Sequence, residues 1–477
     1  ITVQLVESRR IGPIGVGEGT WPTMRNTLAK IGISEGDFIR ECDATFKQGA
    51  RFVGWADGTG DDGYYHPLNP PTGATELDMA PYWLNDRQRW GNRDFAHWVD
   101  YQADLCDAGL APKAITMPGY AGQANYAYHL DAGKFVGFLR DYAIGTLGVE
   151  HVEGEVVRVD SAPDGDIDAV VLSDERVIAG DLFVDCTGFA ALLIGGVYQT
   201  PFRRCGDVLF ADRAIAMQVP YARPDAPIAC HTLSTAQTAG WIWDIGLWAR
   251  RGVGYVYSSA HQDDDTAERT LRAYVGAQAD ALSVRRIDID AGHRERFWVR
   301  NCVAIGLSAG FIEPLEASAL MLVEASVDAV ADRLPRTRGS MDLAARQFND
   351  AFTHHWSRII EFLKLHYVLT RRDDSDFWRD NVAAASIPDA LREQLAFWRE
   401  QSPSAQDFPH AREVFSWPSY QYVLHGMRFD MRADRRPPGR AEPWLQRNAR
   451  IRADAMARLP RHRELIGAIR EHGLQAV

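Results

Sequence analysis

Asn301-Cys-Val-Ala-Ile-Gly-Leu-Ser-Ala-Gly-Phe-Ile-Glu-Pro-Leu-Glu-Ala-Ser-Ala-Leu320 decides how the chain is read. The apolar run Val303-Ala304-Ile305 ends in Gly306. Small residues follow, then carboxylates at Glu313 and Glu316, then an apolar helical pattern from Leu320 to Ala331. A strand that feeds a small-residue turn and then a helix N-terminus is where α/β folds receive anionic cofactors. Glu316 falls at that turn, and a carboxylate is costly to bury there unless something uses it. The plainer alternative is a strand–helix connection carrying a surface Glu.

The 477 residues are too many for one small core and predict two or three packed modules. Fourteen Trp suit an aromatic-lined cavity, although core packing uses them too. A net charge of −12 argues against nucleic acid or an anionic membrane as partner. The Cys at 42, 106, 186, 205, 230 and 302 form no CxxC pair. They predict reduced thiols in a cytoplasm, not a disulfide framework or a zinc site. No apolar run is long enough to span a membrane and no signal peptide is recognised, so a cytoplasmic protein is expected.

The chain opens on a strand pattern, Ile1 to Glu7, that ends in an acid. In a dinucleotide-binding βαβ unit such an acid meets ribose about 20 residues after a GxGxxG loop, so the first strand and that loop are expected upstream of residue 1. Gly12-Pro-Ile-Gly-Val-Gly-Glu-Gly-Thr20 is rich enough in glycine for backbone to approach a ligand closely. Helices are predicted over Thr23–Ile31 and from Ser34 through Glu41. Lys47 precedes an alternating strand, where a lone Lys is ordinarily solvated. Gly58-Thr-Gly-Asp-Asp-Gly63 matches GxGxxG in form only. It opens no helix, and Asp61 and Asp62 would repel a pyrophosphate, so it reads as a hairpin turn. Residues 85–145 read as largely helical, 151–184 as strands, 206–300 as long strands, and the chain beyond 322 as helical. His354, His355 and His366 lack the spacing of metal ligands and read as packing or capping, so no metal is expected.

Several of these segments converge on one family. Gly15-Val-Gly-Glu-Gly-Thr20, Phe46-Lys47, His66-Pro67, Val184-Asp-Cys-Thr-Gly-Phe189, Trp241-Ile-Trp-Asp-Ile245, Ala309-Gly-Phe-Ile-Glu-Pro-Leu-Glu316 and Phe362-Leu-Lys-Leu-His-Tyr367 stand in the order of the flavin-dependent halogenases typified by tryptophan halogenases, and the chain resembles that family. The resemblance implies an α/β fold. A FAD-binding Rossmann-like module of the glutathione-reductase type would be interleaved with a β-sheet and joined to a helical substrate-binding module. The expected divisions are residues 1–190 for the FAD module, with a catalytic-lysine and substrate segment inserted at about 40–100. A mainly β segment follows over 191–300, the return strand and helix over 301–335, and the helical module over 336–477.

The implied chemistry is oxidation of halide by reduced FAD and O2 to hypohalous acid, which passes through a tunnel to an electron-rich aromatic ring. Lys47 and Glu316 match the family's catalytic residues. A desolvated ammonium can hydrogen-bond hypohalous acid, or form a haloamine once its pKa is lowered. A buried carboxylate can stabilise the cationic ring intermediate and then deprotonate it. Flavin contacts carry over to Glu7 and Ser8, to Gly15, Val16, Gly17, Glu18, Gly19 and Thr20, and to Val156, Asp185, Gly188, Gly306, Leu307, Gly310 and Leu320. The halide segment, Ser-Thr-Gly in relatives, is Ala317-Ser318-Ala319. Ser318 keeps a hydroxyl and Ala319 removes the glycine, which leaves chloride against bromide open. Trp241, Trp243 and Ile245 keep the Trp-x-Trp-x-Ile motif, but Gly246 replaces its proline. His66 and Leu68 match a His-Pro-Phe that sandwiches the substrate, with Leu68 a less stacking wall. No residues match those that grip the amino-acid part of free tryptophan, so indole or a larger indole-bearing molecule is the expected substrate. A separate flavin reductase is expected, because no second nucleotide fold is visible. A homodimer is left open. Two other readings stand beside this one: an aromatic monooxygenase, which would not need Lys47 and Glu316, and an inactive flavin- or ligand-binding protein of the same fold.

Overall fold

The computed structural model describes residues 1–8, 10, 12, 17–59, 61–86, 94–411, 413–432, 436 and 438–475. Two short parallel strand pairs mark the α/β part. Gln4–Glu7 pairs with Glu150–Glu153, and Phe183–Asp185 pairs with Cys302–Ala304. Parallel neighbours cannot be joined by a tight turn, so each pair needs a long crossover. Helix Ala132–Gly145 leads into the second strand of the first pair, and most of a large sheet lies between the strands of the second. The interleaving expected from sequence follows from this: the flavin-type strands are contributed by widely separated stretches.

Asp185 ends one of these strands and is fully buried. Its carboxylate accepts from the Thr187 N–H and hydroxyl at 3.0 and 2.7 Å, and from the Leu193 and Ile194 N–H groups at 2.9 and 2.8 Å. A buried carboxylate is tolerable with that many donors. Its work is therefore to shape the turn carrying Gly188, whose φ of +68° suits glycine.

The large sheet has seven strands among the described residues, in the order Arg285–Asp288, Arg213–Pro220, Arg250–Tyr257, Gly240–Gly246, Thr232–Gln237, Gly49–Val53 and Gly63–Pro67. The strands on either side of residues 58–63, Gly49–Val53 and Gly63–Pro67, pair antiparallel as expected of a hairpin, while Gly60 lies outside the described residues. A second, three-stranded sheet places Thr45–Lys47 beside Ala127–Leu130, which also pairs with Glu18–Gly19. Chain 85–145 is less helical than the sequence suggested, since this strand and an irregular stretch over 108–126 interrupt it.

Helix Arg338–Val368 begins at a capping box between Thr337 and Ser340. Phe348, Phe352, Trp356, Ile359, Phe362, Leu363 and His366 recur every three or four residues and are buried, so one face of the helix seals the core over its whole length. Helix Ser318–Asp332 starts at Ala317, a left-handed residue with φ of +54°. A non-glycine residue in that region costs about 1–3 kcal/mol and is held there by its surroundings.

Trp243 is paired with Gly254 across the sheet, and its ring lies over that glycine. A Cβ at residue 254 would fall 2.1 Å from a Trp243 ring carbon. Gly254→Ala should therefore lower unfolding stability by about 1–3 kcal/mol, the usual cost of overpacking. Urea unfolding checks this, and an unchanged midpoint would mean that the ring moves aside freely.

Candidate active site

Lys47 is 4% exposed. A lone Lys is ordinarily solvated, but here the strand Thr45–Lys47 is buried at every position, so the ammonium is desolvated. Its Nζ donates to the Thr20 carbonyl at 3.3 Å. Burial lowers its pKa from 10.5 to about 8, and the negative charge of Glu316 opposes part of that shift. Thr20 is itself pinned. Its hydroxyl accepts from the Tyr128 N–H at 2.9 Å, and its own N–H donates to the Tyr128 carbonyl at 2.8 Å.

Glu316 is 7% exposed and is gripped by two histidines. His66 Nδ1 donates to Oε1 at 2.9 Å. His366 Nε2 stands 3.1 Å from the same oxygen, at ion-pair distance but not aligned for a straight hydrogen bond. Tyr64 lies 2.7 Å from His366 Nδ1, and its O–H donating there leaves the Nε2 hydrogen facing Glu316. Burial alone would raise the Glu316 carboxyl. The charge of His66 and the contacts from both histidines override it and hold Glu316 well below the usual carboxylate range. His366, which the sequence offered only for packing or capping, is therefore part of the site. Its own pKa is lowered by burial.

Gly19 ties the two groups together. A Cβ there would lie 3.1 Å from the Ala317 Cβ and 3.5 Å from Lys47 Nζ. A glycine lets the loop pass between the lysine and the turn that carries Glu316 without displacing either. Trp21 secures the other side, its indole N–H donating to the Glu316 carbonyl at 2.9 Å.

A second buried carboxylate, Glu313, organises the tryptophan motif. Its Oε2 accepts from Trp241 Nε1 at 2.8 Å and from the Tyr367 hydroxyl at 2.6 Å. Burial raises its pKa. The buried Lys364 beside it is lowered by burial to about 7 and donates to Asn381 at 2.9 Å. Gly246 stands where relatives of this motif have proline. Its carbonyl accepts from the Thr45 hydroxyl at 2.6 Å, coupling the motif to the Lys47 strand.

An aromatic wall faces His66. Its ring lies 5.8 Å from Phe362, which stacks on Phe415 at 3.8 Å, and Trp21 meets Phe415 edge-on at 5.0 Å. Leu68 is half-buried just after the same edge strand. Nothing local in the sequence pairs Trp21 with Phe415. Glu313 had a signal, standing three residues before Glu316 in an apolar run.

Of the expected flavin contacts, Gly15 and Val16 lie outside the described residues. Glu7 is partly buried, and its Oε1 accepts from His151 at 2.8 Å. Ser8, Val156, Gly188, Gly306 and Leu307 remain partly accessible around the ends of the parallel strands. Gly306 has φ of +73° and opens the turn after Cys302–Ala304. Glu18 is half-buried and its pKa is raised to about 7 by burial. Gly310 is needed for packing, since a Cβ would strike the Gly292 carbonyl oxygen at 2.6 Å. Leu320 packs under the N-terminal helices. Accessible glycines after one parallel strand pair, with Glu7 ending a strand of the other pair, suit a dinucleotide cofactor. Ser318 is buried and Ala319 exposed in the first turn of helix Ser318–Asp332. The structure also brings together two donor groups that spacing did not reveal: Cys106 with Cys230 and His231, and His354 with His410 and Glu413. No helix among the described residues is long and apolar enough to cross a membrane.

Residues 1–439 match the tryptophan halogenase family. The tryptophan 6-halogenase SttH of Streptomyces toxytricini is 34% identical over 89% of this chain and 83% of its own length. A solved tryptophan halogenase from Shewanella frigidimarina superposes with a TM-score of 0.96 at 44% identity, covering 100% of this chain and 92% of that one. A flavin-dependent halogenase from Xanthomonas campestris superposes with a TM-score of 0.88 at 32% identity over 100% and 94%. The chain belongs to the tryptophan halogenase family. It is an enzyme, an FADH2-dependent halogenase, and its class uses FAD, halide and O2.

A buried lysine charge costs stability. Below about pH 8 Lys47 is charged in both folded and unfolded chains, and the folded state bears the full cost. Between about 8 and 10.5 the unfolded chain binds more protons, so this term makes stability rise with pH. Lys47→Met should stabilise the protein at pH 7 by up to roughly 3 kcal/mol, at 1.36 kcal/mol for each tenfold change in acidity. That advantage should shrink from pH 8 to 10.5. Denaturant midpoints across this range test it, and a pH-independent difference would refute a charged, desolvated Lys47.

Proposed function

We propose that this halogenase substitutes an electron-rich aromatic ring, indole or a larger indole-bearing molecule, at a site built on Lys47 and Glu316. The observation that carries this is their shared burial, with Gly19 between them and the aromatic wall of His66, Phe362 and Phe415 beside them. The absence of matched residues for gripping a free amino acid favours indole over tryptophan.

Bound reduced FAD would supply, with O2, the oxidation of halide to hypohalous acid. Glu7 would hold ribose through Oε2, since its contacts with His151 and Arg140 both use Oε1. Ser8, Gly17, Glu18, Val156, Gly188, Gly306 and Leu307 would line the rest of the cofactor path. The N–H groups at the start of helix Ser318–Asp332 suit a halide, because a helix N-terminus favours an anion. Reduced flavin would come from a separate reductase.

Lys47, as an ammonium, donates a hydrogen bond to the hypohalous acid oxygen and draws electron density from the halogen. The ring carbon takes the halogen as the O–halogen bond breaks, and the leaving hydroxide takes the proton that Lys47 was donating to it and becomes water; Lys47 is left neutral until it is reprotonated. Glu316 faces the cationic ring and accepts the proton from the substituted carbon. Its low pKa is no handicap, because such a ring cation is a far stronger acid than any carboxyl group, and the fixed negative charge stabilises it beforehand. His66 and His366 keep Glu316 ionised and oriented.

Incubation with indole, a flavin reductase, O2, catalase and either bromide or chloride should give a monohalogenated product by mass spectrometry. Lys47→Ala should abolish that product while flavin binding persists. A hydroxylated indole, or halogenation surviving in Lys47→Ala, would overturn the assignment. Glu316→Gln should slow turnover by about 10²-fold or more, the range of a lost acid–base group. Unchanged turnover would remove Glu316 from the reaction.

A further inference from the structure

We propose that Cys106, Cys230 and His231 form a binding site for one thiophilic d10 cation, zinc in the first place. Cys106 lies in helix Gln102–Asp107, whereas Cys230 and His231 immediately precede strand Thr232–Gln237. Their donor atoms lie within 4.8 Å of one another. Ligands on one zinc ion stand about 3.8 Å apart when each Zn–S bond is about 2.3 Å, so side-chain adjustment of an ångström closes the set.

Three features favour a cation over a chance cluster. All three residues are buried, at 5, 0 and 9% exposure. The His231 Nδ1 is buried without a hydrogen-bond partner, an orphaned acceptor or donor of the kind a ligand satisfies. Two thiolates also neutralise a divalent cation, so the loaded site buries no net charge. Loading is a proton exchange: the cation enters, both thiols are ionised and two protons leave. Three protein donors leave the fourth tetrahedral position to water or another small ligand.

The site lies next to the catalytic lysine strand. The Cys230 carbonyl accepts from the Gln48 N–H at 2.7 Å, and Gln48 follows Lys47. Two residues beyond Cys230, Thr232 is paired in parallel with Ala50. A cation joining Cys106 to Cys230 would clamp this junction and fix the register that places Lys47.

Cobalt(II) reports the site directly. The full chain, reduced and stripped with a chelator, should take up one equivalent of cobalt and develop a thiolate-to-cobalt charge-transfer band, which zinc abolishes. Cys230→Ser and Cys106→Ser should lose the band, and His410→Ala, in the other donor cluster, should keep it. The titration of the unaltered chain decides the matter even if a variant misfolds. No band in folded, reduced protein, a band that survives Cys230→Ser, or a band lost in His410→Ala would each overturn the proposal. Recovery of Cys106 and Cys230 as a disulfide in protein that takes no cobalt would do so too.

Discussion

Lys47 and Glu316 are opposite charges taken out of water together, and the surrounding structure is arranged to make that tolerable. Alone, either would neutralise or drag in solvent. The lysine has the Thr20 carbonyl and the field of Glu316, and its pKa still falls to about 8. The glutamate has two imidazoles and stays ionised. Each partner is brought in by a different element: the loop after Glu18–Gly19, the edge strand Gly63–Pro67 and the long helix Arg338–Val368. The fold is therefore constrained at the one point where these three meet the turn before helix Ser318–Asp332.

That constraint explains the layer behind the site. Glu313 cannot face water, so it takes hydrogen bonds from Trp241 and Tyr367 and has Lys364 nearby. Trp241 is thereby locked in the central sheet, and Trp243 in turn lies over Gly254. Ala317 holds a left-handed conformation directly after Glu316. Strain and buried charge collect in these few residues, a pattern typical of functional sites, where stability is given up locally.

Much of this was legible along the chain. The order of motifs around Lys47, His66, Trp241 and Glu316 announced the family, and the small-residue turn after Val303–Ile305 announced a strand meeting a helix. The helices at Thr23–Lys30, Glu35–Glu41 and Ala132–Gly145 follow from caps and spacing that the sequence displays. The same reading took Lys47 for an ordinary solvated lysine when viewed alone, and took His366 for packing.

Sequence by itself determined which reactive groups exist, and it determined the alternation and caps that build strands and helices, because those depend on near neighbours. Tertiary structure alone decided their state. His66 reaches Glu316 across 250 positions and Trp21 reaches it across 295. Cys106 meets Cys230 across 124. Exclusion of water and the pairing of charges set whether a lysine is a proton donor or a carboxylate stays ionised. Both are properties of what surrounds a side chain in space, which no local pattern records.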